Sequence, residues 1–437
     1  MTPEVRDRIE KIWRGNVLEG YKSSKNAIIP QTWVCVALGD LGESKNGLNF
    51  HRDDEGYSIR VLGVGDFKDK TVMRSLEALE EVSLSAEPDS DYLLQNGDIV
   101  FVRSNGSKEL VGRNLLVYPN DINVSYSGFC IRYRMKDTKL TTPEYLNFLL
   151  DSGALKKKLQ KENQGSNISN LNQDILSELI VVLPADRSEQ SSILQILNLQ
   201  DKVIELKEKR LAEKQRQKKY LMQQLLTGKK RLKGFNGEWK KTPLKKLLKE
   251  RKTYSPKGAE YPHVTLSTEG IYAKSDRYDR DHLVKDEEKE YKITHKGDIC
   301  YNPANLKFGA ICINKFGDAI FSPIYVTFEV GDNVSSAFLS NYLMCWDFIN
   351  AVRKYEEGTV YERMAVKPED FLKFEVTLPS YEEQVAIAEV LLVADDEINL
   401  LRRNLEQEKR KKKALMQLLL TGIVRVPIKG NKERTCQ

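Results

Sequence analysis

The sequence predicts an α+β fold: two mixed α/β domains separated by two long antiparallel helices that form a coiled coil, a pseudo-twofold tandem repeat. Three observations predict it. A helical segment occurs twice at constant spacing, its apolar residues recur every seven positions, and the two intervening stretches share strand and helix landmarks.

One copy of the segment runs from Leu183-Pro184 through Glu189-Gln190, Ile193, Leu197, Asp201 and Ile204 to Leu221-Met222-Gln223, Leu225-Leu226 and Thr227-Gly228. The other runs from Leu378-Pro379 through Glu383-Gln384, Ile387, Leu391, Asp395 and Ile398 to Leu415-Met416-Gln417, Leu419-Leu420 and Thr421-Gly422. From Asp186 and Ser380 onward the offset is a constant 194 residues, held without a gap for about 40 positions. Each copy opens with an expected capping box, Asp186 with Glu189 and Ser380 with Glu383. Each closes on a glycine, Gly228 or Gly422, which accepts a positive φ. The heptad runs Leu197, Ile204, Leu211, Lys218, Leu225 in one copy and Leu391, Ile398, Leu405, Lys412, Leu419 in the other. A lysine at a seam position weakens packing but fixes register. A helix of about 40 residues spans roughly 60 Å and cannot bury its apolar stripe alone, so the two copies are expected to pair.

The expected division is an N-terminal helical segment at 1–19, a domain at 20–182, a long helix at 183–230, a second domain at 231–377, a second long helix at 378–425 and a tail at 426–437. Between the domains, Trp33 and Leu38 recur as Trp239 and Leu244. Gly97-Asp98-Ile99 recurs as Gly297-Asp298-Ile299, each opening an alternating apolar strand. Amphipathic helices are expected from Pro143 to about Leu159 and from Ala337 to about Tyr355. Polar glycine-containing loops follow them, and then short strands at 178–182 and 374–377 lead to the Leu-Pro pairs. The helices are alike because they meet each other or one partner surface twice; the domains diverge because each reads something different.

The 437 residues exceed what one core normally serves. The net charge of +6, from 69 basic and 63 acidic residues, is explained by a solvated surface unless the charges cluster. The charged N-terminus has no signal-peptide core, and no run of eighteen apolar residues occurs, so a cytoplasmic protein without a membrane span is expected. The six scattered cysteines form no CxxC pair and read as reduced thiols. Four histidines show no zinc spacing, so no metal is expected.

On these residues the chain resembles the specificity subunit of type I restriction-modification systems. The Leu-Pro…Glu-Gln openings, the Leu-Met-Gln-x-Leu-Leu-Thr-Gly endings and the Trp-x4-Leu domain entries carry the resemblance. So does the stretch from Gly297 through Tyr301, Asn302 and Gly309-Ala310 to Ser322-Pro323 and Tyr325. It covers roughly residues 30 to 425. The resemblance implies two target recognition domains, each reading half of a split double-stranded DNA sequence in the major groove. It implies two methyltransferase subunits docked on the helices, with restriction/translocase subunits joining for cleavage. S-adenosylmethionine is then expected in the partner methyltransferase, with no cofactor and no catalytic residue in this chain. Two departures stand out: the first helix carries Gln223-Gln224 where the second has Gln417-Leu418, and the first domain matches less closely around Arg103 to Arg113.

The motifs for chemistry are missing. Asn302-Pro303-Ala304-Asn305 lacks the aromatic residue of a methyltransferase motif, Gly63-x-Gly65 is too short for a dinucleotide fingerprint, and no GxxxxGK[ST] loop occurs. Pro88-Asp89 is followed by no Glu-x-Lys of a nuclease core. For binding, residues 207–219 carry seven basic and two acidic side chains, and the second helix carries Lys409 to Lys413, suited to phosphate contacts or to a partner. Expected DNA-reading side chains in the first domain are Arg103, Ser104, Asn105, Ser107, Lys108, Arg113, Asn114, Gln164, Ser166 and Asn167. In the second they are Asn302, Asn305, Lys307, Thr359, Tyr361 and Arg363. The expected coiled-coil and partner-binding set is Leu197, Ile204, Leu206, Leu211, Leu225, Leu391, Ile398, Leu400, Leu405 and Leu419, with Leu206 and Leu400 assigned to docking. Two other classes remain open from residues alone: a coiled-coil scaffold or adaptor, and a stand-alone DNA-binding regulator.

Overall fold

The computed structural model describes residues 3–24, 27–51, 53–68, 70–107, 109–153, 170–256, 260–268, 270–274, 290–352 and 365–426. These fall into two compact units. The first comprises Met1–Leu206 with Leu405–Gln437, the second Lys207–Asn404. The division falls inside both long helices, so each unit takes the opening half of one helix and the closing half of the other.

In the first unit, strand Trp33–Ala37 pairs antiparallel with Ile180–Pro184, placing Trp33 opposite Pro184 and closing the domain at the root of the helix. The main sheet has five strands in the order Gly42–Asn46, Cys130–Met135, Asp98–Val102, Asn114–Val117 and Val72–Met73. A second sheet holds Val124–Tyr126, Tyr57–Leu62 and Glu81–Leu84. Helix Pro143–Asp151 is capped by Thr142, which accepts from the Tyr145 amide at 3.2 Å, and it buries Tyr145, Leu146 and Leu149 in the core with Ile99, Phe101 and Ile131. Residues 154–159, where this helix was expected to continue, lie outside the described residues. A helix at Pro3–Trp13 and the hairpin Tyr21–Ser24/Ala27–Pro30 precede the domain; Ile9, Ile12 and Tyr21 pack with Ile423, and the Tyr21 hydroxyl donates to the Gly422 carbonyl at 3.1 Å.

Among the described residues, the second unit repeats this plan with a four-stranded main sheet. Lys240–Pro243 pairs with Glu375–Leu378. Its main sheet runs Leu248–Glu250, Val326–Val330, Ile299–Tyr301 and Ile311–Ile313, the order seen for the first four strands of the other domain. Tyr301, Phe328, Phe371 and Phe348 form an aromatic cluster beneath it, with Tyr301 and Phe371 stacked at 4.9 Å. The single helix expected from Ala337 is two, Ser336–Leu343 and Trp346–Val352. The break lets Phe338, Leu343, Phe348 and Ile349 all reach one core, which a straight helix of that phase does not allow.

The repeated segments are helices Arg187–Leu225 and Tyr381–Leu419, 39 residues each. Within each unit the two halves run antiparallel. In the first, Gln200 donates to the Glu408 carboxylate at 2.8 Å and Lys412 meets Asp201 at 2.6 Å. In the second, Lys218 meets Asp395 at 2.6 Å and Lys214 meets Glu397 at 3.0 Å. The seam lysines therefore have a carboxylate across the seam in both copies, and the register is fixed by charge as well as by leucine packing. Gly228 and Gly422 take φ of 70° and 72°, and the amide two residues beyond each glycine returns to a last-turn carbonyl, Lys230 to Gln224 and Val424 to Leu418.

The expected capping boxes are half realised. Asp186 accepts from the Ser188 amide and Ser380 from the Glu383 amide, as caps do. The glutamates do not reach back; they are buried and committed to arginines beyond the opposite helix. Arg425 grips Glu189 through two bonds of 2.5 and 2.8 Å, and Arg231 grips Glu383 through two of 2.6 Å. A bidentate charged pair outcompetes a neutral amide for the carboxylate.

Candidate nucleic-acid interface and partner surface

In both domains the Gly-Asp turn sets the candidate interface. Gly97 and Gly297 have φ of 90° and 95°, a conformation that favours glycine. The following aspartate is buried and closes the turn: Asp98 accepts from the Gln95 amide at 2.7 Å, Asp298 from the His295 amide at 2.8 Å. Each also takes a bidentate arginine, Arg134 for Asp98 and Arg251 for Asp298, at 2.7–3.0 Å. Arg134 stands on strand Cys130–Met135 and Arg251 directly follows strand Leu248–Glu250, so the two domains supply the arginine from different positions. Burial alone lowers the Arg134 pKa, but the bond and charge of Asp98 reverse this and hold it above the ordinary value. For Arg251 the bond to Asp298 is the largest cause of the same rise.

The strand beyond each turn delivers the expected reading loop. In the first domain Arg103, Ser104, Asn105 and Arg113 are half-buried and Ser107 is exposed. Arg103 donates through Nη1 to the Gly128 carbonyl at 3.2 Å, and Asn105 accepts from the Ser107 amide at 2.8 Å. In the second, Asn305 is exposed and Lys307 half-buried. Asn305 lines a concavity of about 380 Å³ with Thr265, Ser267 and Phe308. Two expected readers need correction. Asn114 is buried and spends its amide on the Asn147 carbonyl and side chain, at 3.1 and 2.8 Å. Asn302 is buried and accepts from the Ala304 amide at 3.1 Å, shaping its own turn. Lys108, Gln164, Ser166, Asn167, Thr359, Tyr361 and Arg363 lie outside the described residues.

Polarity selected these candidates and so passed over three exposed apolar side chains beside the same loops: Phe129, Phe308 and Ile324. The only sequence signal for them was their place in Gly- or Pro-containing turns.

The helices separate into seam and surface. Leu197, Leu225, Leu391, Ile398, Leu405 and Leu419 are buried, and Ile204 and Leu211 are half-buried. Leu206 and Leu400 are 56% and 57% exposed, and one turn-pair earlier Leu199 and Val393 are exposed as well. These positions are related by the same 194-residue offset, so each helix displays the same apolar strip at the same place. In the first unit Leu199 borders a concavity of about 890 Å³ shared with Ser188, Ser191 and Gln195; in the second Leu392 borders one of about 570 Å³ with Glu389, Phe316 and Met344.

Among the described residues no group of histidine, cysteine or carboxylate side chains is placed to hold a metal ion. Cys130, Cys300, Cys312 and Cys345 have no disulfide partner, and burial raises their pKa values, that of Cys130 to about 12. No helix among the described residues is long and apolar enough to cross a membrane.

A duplicated α+β domain with a duplicated long helix defines a tandem-repeat protein of two domains and two paired helices. Comparison with known proteins narrows this. The model of the type I restriction modification DNA specificity domain matches residues 30–216. The putative type I restriction enzyme MjaX specificity subunit of Methanocaldococcus jannaschii is 26% identical over 434 residues, covering 93% of this chain and 97% of that protein. The StySPI specificity subunit of Salmonella potsdam is 30% identical over 167 residues, 37% of this chain and 35% of that protein. A solved chain from the type I R-M system shares the fold with a TM-score of 0.57 at 15% identity, over 91% of this chain and 99% of that one. Residues 30–216 thus match the type I DNA specificity domain, and nearly the whole chain is similar to type I restriction-modification specificity subunits, the DNA-recognition and non-catalytic components of those enzymes.

Proposed function

We propose that this chain reads a split double-stranded DNA target, one half per domain, and carries two methyltransferase subunits on the apolar strips of its paired helices. Those subunits hold S-adenosylmethionine and perform the transfer, and restriction/translocase subunits join the same assembly for cleavage. The observation that carries the reading is the contrast between what is duplicated and what is not. The helices keep Glu189/Glu383, Asp201/Asp395, Lys218/Lys412 and Leu206/Leu400 in register, whereas the loops after the two Gly-Asp turns differ in length and side chains. Repeating a helix surface suits binding the same partner twice; diverging loops suit two different base sequences. Co-expression with a type I methyltransferase subunit, followed by genome-wide mapping of modified bases, is expected to give one motif in two parts with a fixed unread gap. A continuous motif, or none, contradicts the proposal.

A further inference from the structure

Phe129 and Ile324 occupy one structural position in two domains whose loops otherwise differ. In the first domain strand Val124–Tyr126 ends in a turn in which the Cys130 amide donates to the Ser127 carbonyl at 2.8 Å. In the second, strand Ala319–Phe321 ends in a turn in which the Tyr325 amide donates to the Ser322 carbonyl at 3.0 Å. Both are four-residue turns opened by serine, and Phe129 and Ile324 are the third residue of each. They are 64% and 60% exposed. Turn tips ordinarily carry glycine, proline, asparagine, aspartate or serine. One exposed apolar side chain on a surface needs no explanation, but the same exposed position filled with a large apolar group in both divergent domains does.

The tips are firmly mounted. In the first domain the Arg103 amide donates to the Phe129 carbonyl at 2.8 Å, and the Arg103 guanidinium donates to Gly128, tying the tip to the reading loop. In the second, the Tyr325 ring meets Phe321 edge-on at 5.1 Å and its hydroxyl lies 3.4 Å from Thr265 Oγ1. A rigid apolar tip beside hydrogen-bonding side chains, Arg103 in the first domain and Tyr325 with Thr265 in the second, matches one feature of the major groove, the thymine 5-methyl group, the apolar mark among hydrogen-bonding edges.

We propose that Phe129 and Ile324 are specificity-determining residues, each packing on a thymine methyl in the half-site of its own domain. This rests on the DNA-reading function proposed above. The test uses the complex of the full chain with its methyltransferase, and the motifs marked by wild type, Phe129→Ala, Phe129→Leu and Ile324→Ala. Phe129→Ala is expected to relax a single A·T position in one half only, Ile324→Ala a single A·T position in the other, and Phe129→Leu to keep most of the preference. Replacing that thymine by deoxyuridine is expected to weaken wild-type binding about fourfold, the worth of one buried methyl group, and to leave the alanine variant unaffected. If wild type marks a split motif that neither alanine variant alters, or if the relaxed position is a G·C pair, this inference fails alone. If the variants keep the motif but lose assembly, the tips are protein contacts and the inference fails. If wild type marks no split motif, the proposed function fails and takes this inference with it.

Discussion

Arg425 and Glu189 are 236 residues apart in sequence, and the pair they make accounts for one of the motifs repeated in the chain. The Glu-Gln after each Leu-Pro is a joint, not a reading or catalytic group. Glu189 takes Arg425 and the Trp33 indole at 3.3 Å, while Gln190 donates to the Leu140 and Pro184 carbonyls at 2.8 Å and accepts from Thr141 at 2.9 Å. In the second copy Glu383 takes Arg231, and Gln384 donates to Pro379 and accepts from the Ser335 amide. The motif was visible in the sequence, but its meaning was not: a capping box is a local pattern, and nothing local shows that an arginine past the other helix returns to the same carboxylate. Asn114 and Asn302 misled for a related reason, since a polar residue after a strand reads as exposed until the fold shows what lies against it. Removing one partner of a buried pair leaves an uncompensated charge. Arg425→Ala is therefore expected to destabilise the protein by about 3 kcal/mol, with Glu189→Gln costing less because an acceptor and the indole bond remain. Denaturant midpoints of the two variants measure this, and equal small losses would contradict it.

The long helices were the most legible elements, because 39 residues of heptad spacing with a glycine stop leave few alternatives. Their antiparallel partnership was inferred from the need to bury a stripe, and the charges now fix it. Lys218 with Asp395, and Lys412 with Asp201, are one interaction made twice. Reversing one charge, as in Asp395→Lys, sets two lysines together and is expected to lower stability by about 1–2 kcal/mol; adding Lys218→Asp is expected to recover most of it. A thermal-unfolding double-mutant cycle with no recovery would show that the pair does not set register. Exposure was legible in part: Leu206 and Leu400 fall outside the heptad that holds Leu197 and Leu391, were assigned to docking, and are on the surface, whereas the exposed Leu199 and Val393 were passed over. Leu206→Glu and Leu400→Glu are expected to leave the isolated chain folded and to weaken methyltransferase binding at least tenfold each, the worth of one buried leucine. Full-size complexes on a sizing column from both variants would reject the docking surface.

At the scale of the whole molecule, the proposed function makes the paired helices the element that sets the gap and the two domains independent readers. The tandem architecture was legible because the 194-residue offset runs through one helix and into its copy without a gap. The proposed reading surfaces were not, because the loops proposed to touch bases have side chains that follow no periodicity. The most direct test is to insert seven residues into both helices at matched levels, between 206 and 207 and between 404 and 405, preserving the apolar phase and lengthening each helix by about 10 Å. Mapping the modified bases is expected to show the same two half-sequences with the gap longer by about three base pairs, from the rise of roughly 3.4 Å per pair. An unchanged gap, or new half-sequences, would contradict the claim that helix length sets the spacing while the domains alone choose the bases.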